Sequence, residues 1–205
     1  MGLGPLIDTI RPDEFSNLTE KRSFRLCGVV SEVERRYTKK DAKPWARFNL
    51  LAKEKDLSLP MFPEAYSNYG SRLAEGELMV INGVASVKDG ETRLTVEKVE
   101  TMDEALSNII EEITWLIDPS NEDTISFLTY LHAESEKGRG RAKVSIAFAQ
   151  DGEEDGIVVQ MDDRFRLRLG LDNFSKWRMH SCVLGVRVKV AEPDPPPERK
   201  FGRKD

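Results

Sequence analysis

The chain has 205 residues, 39% hydrophobic and 33% charged, with a formal net charge of -5. That length admits one large domain or two small ones, each with its own core. The negative total excludes a protein that coats duplex DNA with its whole surface, and no apolar run approaches the ~20 residues of a membrane span.

Residues 1–23 read as an N-terminal arm, irregular and short of apolar positions, with turn formers at Gly4-Pro5 and Pro12. Leu3, Leu6, Ile7, Ile10, Phe15 and Leu18 are its candidates for packing on the domain that follows. An opening without an element of its own reads as a cut chain, and MGLGPLIDTIRPDEF lacks the basic-then-apolar order of a signal peptide.

From Phe24 the pattern turns to strands. FRLCGVVSEVE alternates around β-branched residues, and Gly28 in its middle predicts a bulge or sharp bend. WARFNLL is a second strand, with Ala46, Phe48 and Leu50 on one face and Trp45, Arg47 and Asn49 on the other. LSLPMF is a third, whose Pro60 needs a place where no ladder N–H is required. PEAYSNYGSRLAEG predicts a helix opening at Pro63 and closing near Gly76. LMVINGVASV and TRLTVEKVET are the fourth and fifth strands, joined by the turn residues Lys88-Asp89-Gly90. Three strands, a helix and two strands within about eighty residues is the order of a five-stranded OB-fold barrel, a fold that binds oligonucleotides on strands two and three and the adjoining loops. Residues 24–101 are therefore expected to form a nucleic-acid-binding barrel.

Between the first two strands lies a basic arm, RRYTKKDAKPWAR, expected to be the loop that joins them. It sets Arg35, Arg36, Lys39, Lys40, Lys43 and Arg47 against one acid, Asp41, and includes Tyr37 and Trp45. Cations beside flat rings suit a single strand, since cations meet phosphates and rings stack on bases. Arg93 and Lys98 on the fifth strand are further candidates. Two alternatives stand beside this: a solvated hairpin loop with an ordinary share of lysine, and a Trp45 that packs on the barrel end or a neighbouring domain.

Residues 102–107 read as a joint, with residues 108–190 forming a second domain. Residues 111–117 predict a strand and NEDTISFLTYLHAESEK a helix, with Asn121 as N-cap and Ile125, Leu128 and Leu131 or His132 at helical spacing. Gly138-Arg139-Gly140 breaks that helix. RAKVSIAF and GIVVQM are strands separated by an acidic turn from Gln150 to Asp155. RFRLRLG is strand-like or extended, LDNFSKW a short helix and CVLGVRVKV a last strand. The order β-α-β-β-α-β predicts a small two-layer α+β domain of the split-βαβ kind. Residues 191–205, with Pro193, Pro195, Pro196 and Pro197, cannot form a core and are expected to be an extended, flexible tail.

Little in the chain points to catalysis. It has only His132 and His180, no CxxC and no HExxH, so a zinc site is not expected. It has no GxxxxGK[ST]. Both histidines read as surface or boundary residues, and no nucleophile–base arrangement has supporting context. No catalytic residue, metal or cofactor is expected. Cys27 and Cys182 read as reduced, buried thiols, which implies a cytoplasmic location.

The stretch from Gly28 to Val87 resembles the OB domain of the bacterial DNA polymerase III alpha subunit. The resemblance is carried by Gly28-Val29-Val30, Thr38-Lys39-Lys40, Lys43-Pro44, Phe62-Pro63-Glu64-Ala65-Tyr66, Leu73 and Glu77 to Gly83. The chain departs from that family after strand two, where AKEKD replaces a Gly-containing turn. The second domain resembles the region that follows in the same family, on its long helix, its Gly-rich break and Asp163-Arg164-Phe165-Arg166-Leu167. The resemblance implies a non-catalytic C-terminal fragment of a polymerase chain whose catalytic domains lie elsewhere. It implies single-stranded template DNA, the tau subunit of the clamp loader and the remainder of the polymerase as partners. Gln160-Met161-Asp162-Asp163-Arg164-Phe165 puts an acid where a clamp-binding motif wants an apolar anchor, and reads as strand plus turn. Two other readings remain open: an anticodon-binding-type OB module that binds RNA, and an OB-fold protein-interaction module.

Overall fold

The computed structural model describes residues 4–137, 140–150 and 153–196. Leu3, the Gly138-Arg139 part of the break, Asp151-Gly152 of the acidic turn and tail residues 197–205 lie outside the described residues. The chain divides into two compact units, residues 102–191 and the residues on either side of them.

The first unit begins with helix α1 (Gly4–Ile7) and a 3-10 turn over Glu14–Asn17. Strands β1 (Arg22–Tyr37), β2 (Pro44–Ala52) and β3 (Lys55–Met61) precede helix α2 (Pro63–Tyr69), and β4 (Leu78–Lys88) and β5 (Glu91–Thr101) complete the unit. The sheet order is β3-β2-β1-β4-β5, antiparallel throughout, and β3 also approaches β5. Five strands in this order, closed on themselves with a helix between the third and fourth, form an OB-fold barrel. Period-two alternation builds its core. Phe24, Leu26, Ala46, Phe48, Leu50, Leu59, Met61, Ile81 and Val99 are fully buried, and Phe15 meets Phe24 edge-on at 5.1 Å.

The arm before β1 is tied down. The backbone N–H of Arg25 donates to Thr9 Oγ1 (2.9 Å), that of Cys27 to Asp8 Oδ1 (2.7 Å), and Thr92 Oγ1 donates to the Phe15 carbonyl (2.7 Å). Ile7, Ile10 and Phe15 are buried. Tail residues Glu192 to Pro196 belong to this unit, where they line a cleft with Thr9, Lys21, Arg22 and Ser23, so that part of the expected free tail is packed.

Several expectations need correction. The basic arm is not all loop: Arg35, Arg36 and Tyr37 finish β1 and Pro44 to Arg47 begin β2, leaving residues 38–43 as the connection. Gly28 makes no bulge. The β1–β2 register shifts between Ser31 and Glu34 instead, with Glu32 at φ 51°. Gly28 is needed for close approach, because a Cβ there would lie 2.6 Å from the Leu51 carbonyl oxygen. The helix after Pro63 ends in a 3-10 turn at Arg72, and Gly76 (φ 82°) stands in the following turn. Asp89 (φ 56°) and Gly90 (φ 79°) form the β4–β5 turn with both residues left-handed, while Lys53 (φ 46°) and Glu54 (φ 67°) do the same between β2 and β3 without a glycine.

The second unit opens with α3 (Met102–Ile109), which replaces the expected joint. Met102, Ala105, Leu106 and Ile109 recur at helical spacing and are buried. Strand β6 (Ile110–Ile117), helix α4 (Thr124–Lys137), strands β7 (Ala142–Gln150), β8 (Glu153–Gln160) and β9 (Arg166–Leu167), helix α5 (Leu171–Trp177) and strand β10 (Val183–Val190) follow. The sheet order is β10-β6-β7-β8, with β9 paired to β7. Because β6 and β7 are adjacent and parallel, the βαβ unit is not split as expected. RFRLRLG contributes only the two-residue β9. Trp115 of β6 is fully buried and takes Phe127 of α4 (6.0 Å) and Trp177 of α5 (4.9 Å) edge-on, which places both helices on one face of the sheet. Asn121 does not cap α4 as expected. Its Oδ1 accepts the N–H of Asp123 ahead of the helix, and Asp123 in turn accepts from Ser181 N–H and bonds His180 Nδ1 (both 3.0 Å). Among the described residues no helix is long and apolar enough to cross a membrane.

Candidate nucleic-acid interface

The outer faces of β2 and β3 and of the β4–β5 hairpin form the walls of a groove of about 1010 Å³. Register explains its lining. In β2–β3 the outward residue Arg47 stands opposite Pro60; in β4–β5, Ser86 stands opposite Arg93 and Val84 opposite Thr95. All six reach the groove, together with Lys21 from the arm, Phe62 just after β3, Lys88 from the hairpin tip and Glu97. Four cations thus face one acid. The side chains of Arg47, Lys88 and Arg93 have no acid or hydrogen-bond partner among the described residues, so their charge is not neutralised within the protein.

An aromatic ladder joins this groove to the end of β1. Phe62, half-exposed at 50%, stacks on Trp45 (centroids 6.5 Å apart, 26° between planes), and the Arg36 guanidinium lies over the Trp45 ring at 5.9 Å. The contact between Arg36 and Trp45 follows from their being direct cross-strand partners. Trp45 is half-buried against these neighbours, one of which presents a free ring face to the groove.

The remaining sequence candidates are distributed differently. Lys39 and Lys40 are exposed at the β1–β2 connection and have no partner among the described residues. Lys43 is held by Asp41 at 3.2 Å. The Thr38 hydroxyl donates to the same carboxylate, and that bond, followed by Lys43, keeps Asp41 below the usual carboxylate range. Arg36 is ion-paired to Glu34. Arg35 turns to the Leu73 carbonyl (3.4 Å), away from Arg36. Tyr37 is 72% exposed at the end of β1. Arg47 and Arg93 come together in the groove, whereas Lys98 does not line it and donates to Glu100 (2.7 Å). Sequence reasoning missed Lys21, Lys88 and Glu97. Lys88 was readable as the first residue of the hairpin turn, but only the closed barrel brings that turn across from β2.

No family model matches the chain, and no curated protein matches it. Among solved structures, the SSB domain of a Synechococcus sp. protein aligns at 22% identity and a TM-score of 0.32, covering 38% of this chain and 93% of that chain. The mitochondrial single-stranded DNA binding protein Rim1 of S. cerevisiae aligns at 14% identity and a TM-score of 0.29, covering 38% of this chain and 88% of that chain. Both neighbours are SSB-type domains, and at these TM-scores the likeness carries no weight for function.

Proposed function

We propose that this chain binds single-stranded DNA in the groove between β2–β3 and the β4–β5 hairpin. The observation that carries the reading is the set of three unpaired cations, Arg47, Lys88 and Arg93, beside the exposed ring of Phe62. Phosphates meet the cations and a base stacks on the ring, a combination that a continuous strand satisfies and a duplex with stacked bases does not. The overall charge of -5 confines the contact to this local field. Titration of labelled single-stranded DNA, RNA and duplex at several salt concentrations tests it. Single-stranded DNA binds most tightly, with an affinity that falls as salt rises. Preference for RNA supports the anticodon-binding-type alternative, and binding of none supports a protein-interaction role.

The sequence resemblance extends this reading. The chain acts as a non-catalytic C-terminal part of a cytoplasmic polymerase III alpha subunit, its barrel holding template while the second unit docks on the tau subunit of the clamp loader. The support is the ordered set of matches from Gly28-Val29-Val30 to Glu77–Gly83. Retention of the full chain by immobilised tau, and no primer extension by the purified chain with magnesium and nucleotides, are the expected results.

A further inference from the structure

Among the described residues, Glu97 is the one acid in a groove whose other charged residues are the cations Lys21, Arg47, Lys88 and Arg93. It is there because of a bulge. Asn82 stands opposite Lys98 and Gly83 opposite Val96, so Glu97 has no partner residue on β4 and its side chain is re-aimed. Charge balancing does not explain it: Glu97 is exposed and makes no ion pair or hydrogen bond with Lys88, Arg93 or any other described residue. The neighbouring acid on the same strand behaves oppositely. Glu100 is 3% exposed and accepts from Lys98 Nζ (2.7 Å) and Asn82 Nδ2 (2.9 Å).

A free carboxylate repels phosphates, so the strand cannot run its backbone past Glu97 while it meets Arg47, Lys88 and Arg93. A base edge is the part of a strand that can face Glu97 without that repulsion. An ionised carboxylate only accepts hydrogen bonds, through two oxygens side by side. In a single strand the Watson–Crick edges are open to be read. Guanine alone presents two adjacent donors there, N1–H and N2–H. Thymine flanks its single N3–H with two carbonyl oxygens, and cytosine and adenine each set a ring-nitrogen acceptor beside one amino group.

Resting on the groove reading above, we infer that Glu97 forms a guanine-selective subsite, taking N1–H and N2–H of one unstacked guanine in a bidentate contact. The test uses the full chain and fluorescently labelled oligothymidylates of about 12 nucleotides, a length within the range one OB fold spans. One has a single central guanine, one a deoxyinosine at that place, and one neither. A single guanine avoids quadruplex formation. The guanine oligonucleotide is expected to bind about 5-fold more tightly than all-thymine, in line with the lower end for a bidentate base contact. Deoxyinosine, lacking the N2 amino group, loses most of that gain. Glu97→Gln, at an exposed bulge, keeps the wild-type melting temperature, abolishes the guanine preference and strengthens all-thymine binding by removing a charge that faces phosphates. Equal wild-type affinity for the three oligonucleotides, or a guanine preference that survives Glu97→Gln, overturns the subsite while leaving the groove reading in place. Failure of every oligonucleotide to bind overturns both.

Discussion

Counterion release offers a way to weigh the groove against the β1–β2 connection. Each phosphate contact on a single strand contributes about 0.7 to the slope of log affinity against log salt. Arg47 and Arg93 have no acid partner and face the same groove, so Arg47→Ala with Arg93→Ala lowers the slope by about 1.4. Replacing Lys39, Lys40 and Lys43 together changes three charges, but Asp41 already holds Lys43 at 3.2 Å. A strand that ran over the connection would therefore cost that variant about 1.4, and not the roughly 2.1 that three free lysines would give. A strand held in the groove leaves the slope of that variant nearly unchanged, which is the expected result. Both substitutions lie at exposed positions, where the cost to folding is about 0.5 kcal/mol or less. Anisotropy titrations of an oligothymidylate at four or more salt concentrations, with melting curves for each variant, provide the slopes. An unchanged slope in the double-Arg variant refutes the reasoning, because it means phosphates do not run through the groove.

Removing the ring tests stacking separately from charge: Phe62→Ala weakens binding by about 1–3 kcal/mol with little change in salt slope, and Trp45→Ala, which removes only the support behind that ring, costs about 1 kcal/mol or less. Equal losses in melting temperature and no loss in binding per folded molecule would assign both rings to stability. Gly83→Ala tests the packing of the barrel wall, since its Cβ would stand 2.4 Å from the Thr95 carbonyl oxygen and 2.7 Å from Phe24 Cζ. It destabilises by about 1–3 kcal/mol in urea unfolding, and a neutral result would show that the wall yields. Burial, aided by the charge of Asp8, pushes the Cys27 thiol up to about 11 from an ordinary 9.0. The unfolded chain then ionises first, so the contribution of Cys27 to stability is complete below about pH 9 and is lost as pH rises toward about 11. Urea midpoints that fall over this range in the wild type but fall less in Cys27→Ala are the expected signature, and parallel curves would refute it.

The barrel was legible where local rules act alone. Alternation in WARFNLL separated Ala46, Phe48 and Leu50 from Trp45, Arg47 and Asn49, and all three of the first set are fully buried. Asp89-Gly90 marked its own turn because glycine and aspartate tolerate left-handed backbone. The Lys53-Glu54 turn carries no such mark. Where registers and long-range closure decide, the sequence was silent. Arg36 meets Trp45 through cross-strand pairing, Lys88 reaches the groove through barrel closure, and Glu97 enters it through a one-residue bulge. In the second unit, the strand and helix order did not reveal that β6 and β7 are direct neighbours, because a βαβ crossover allows an intervening strand or none. Eight residues were also too few for the amphipathic pattern of α3 to stand out from a linker.

Backbone amide chemical shifts of the labelled full chain, followed during titration with an oligothymidylate, test the central claim most directly. The shifts that move at substoichiometric ligand are expected to cluster at residues that line the groove, among them Arg47, Ser58, Phe62, Ser86, Lys88, Arg93 and Thr95. Perturbations confined to residues 102–191, or none at saturating DNA, would contradict it.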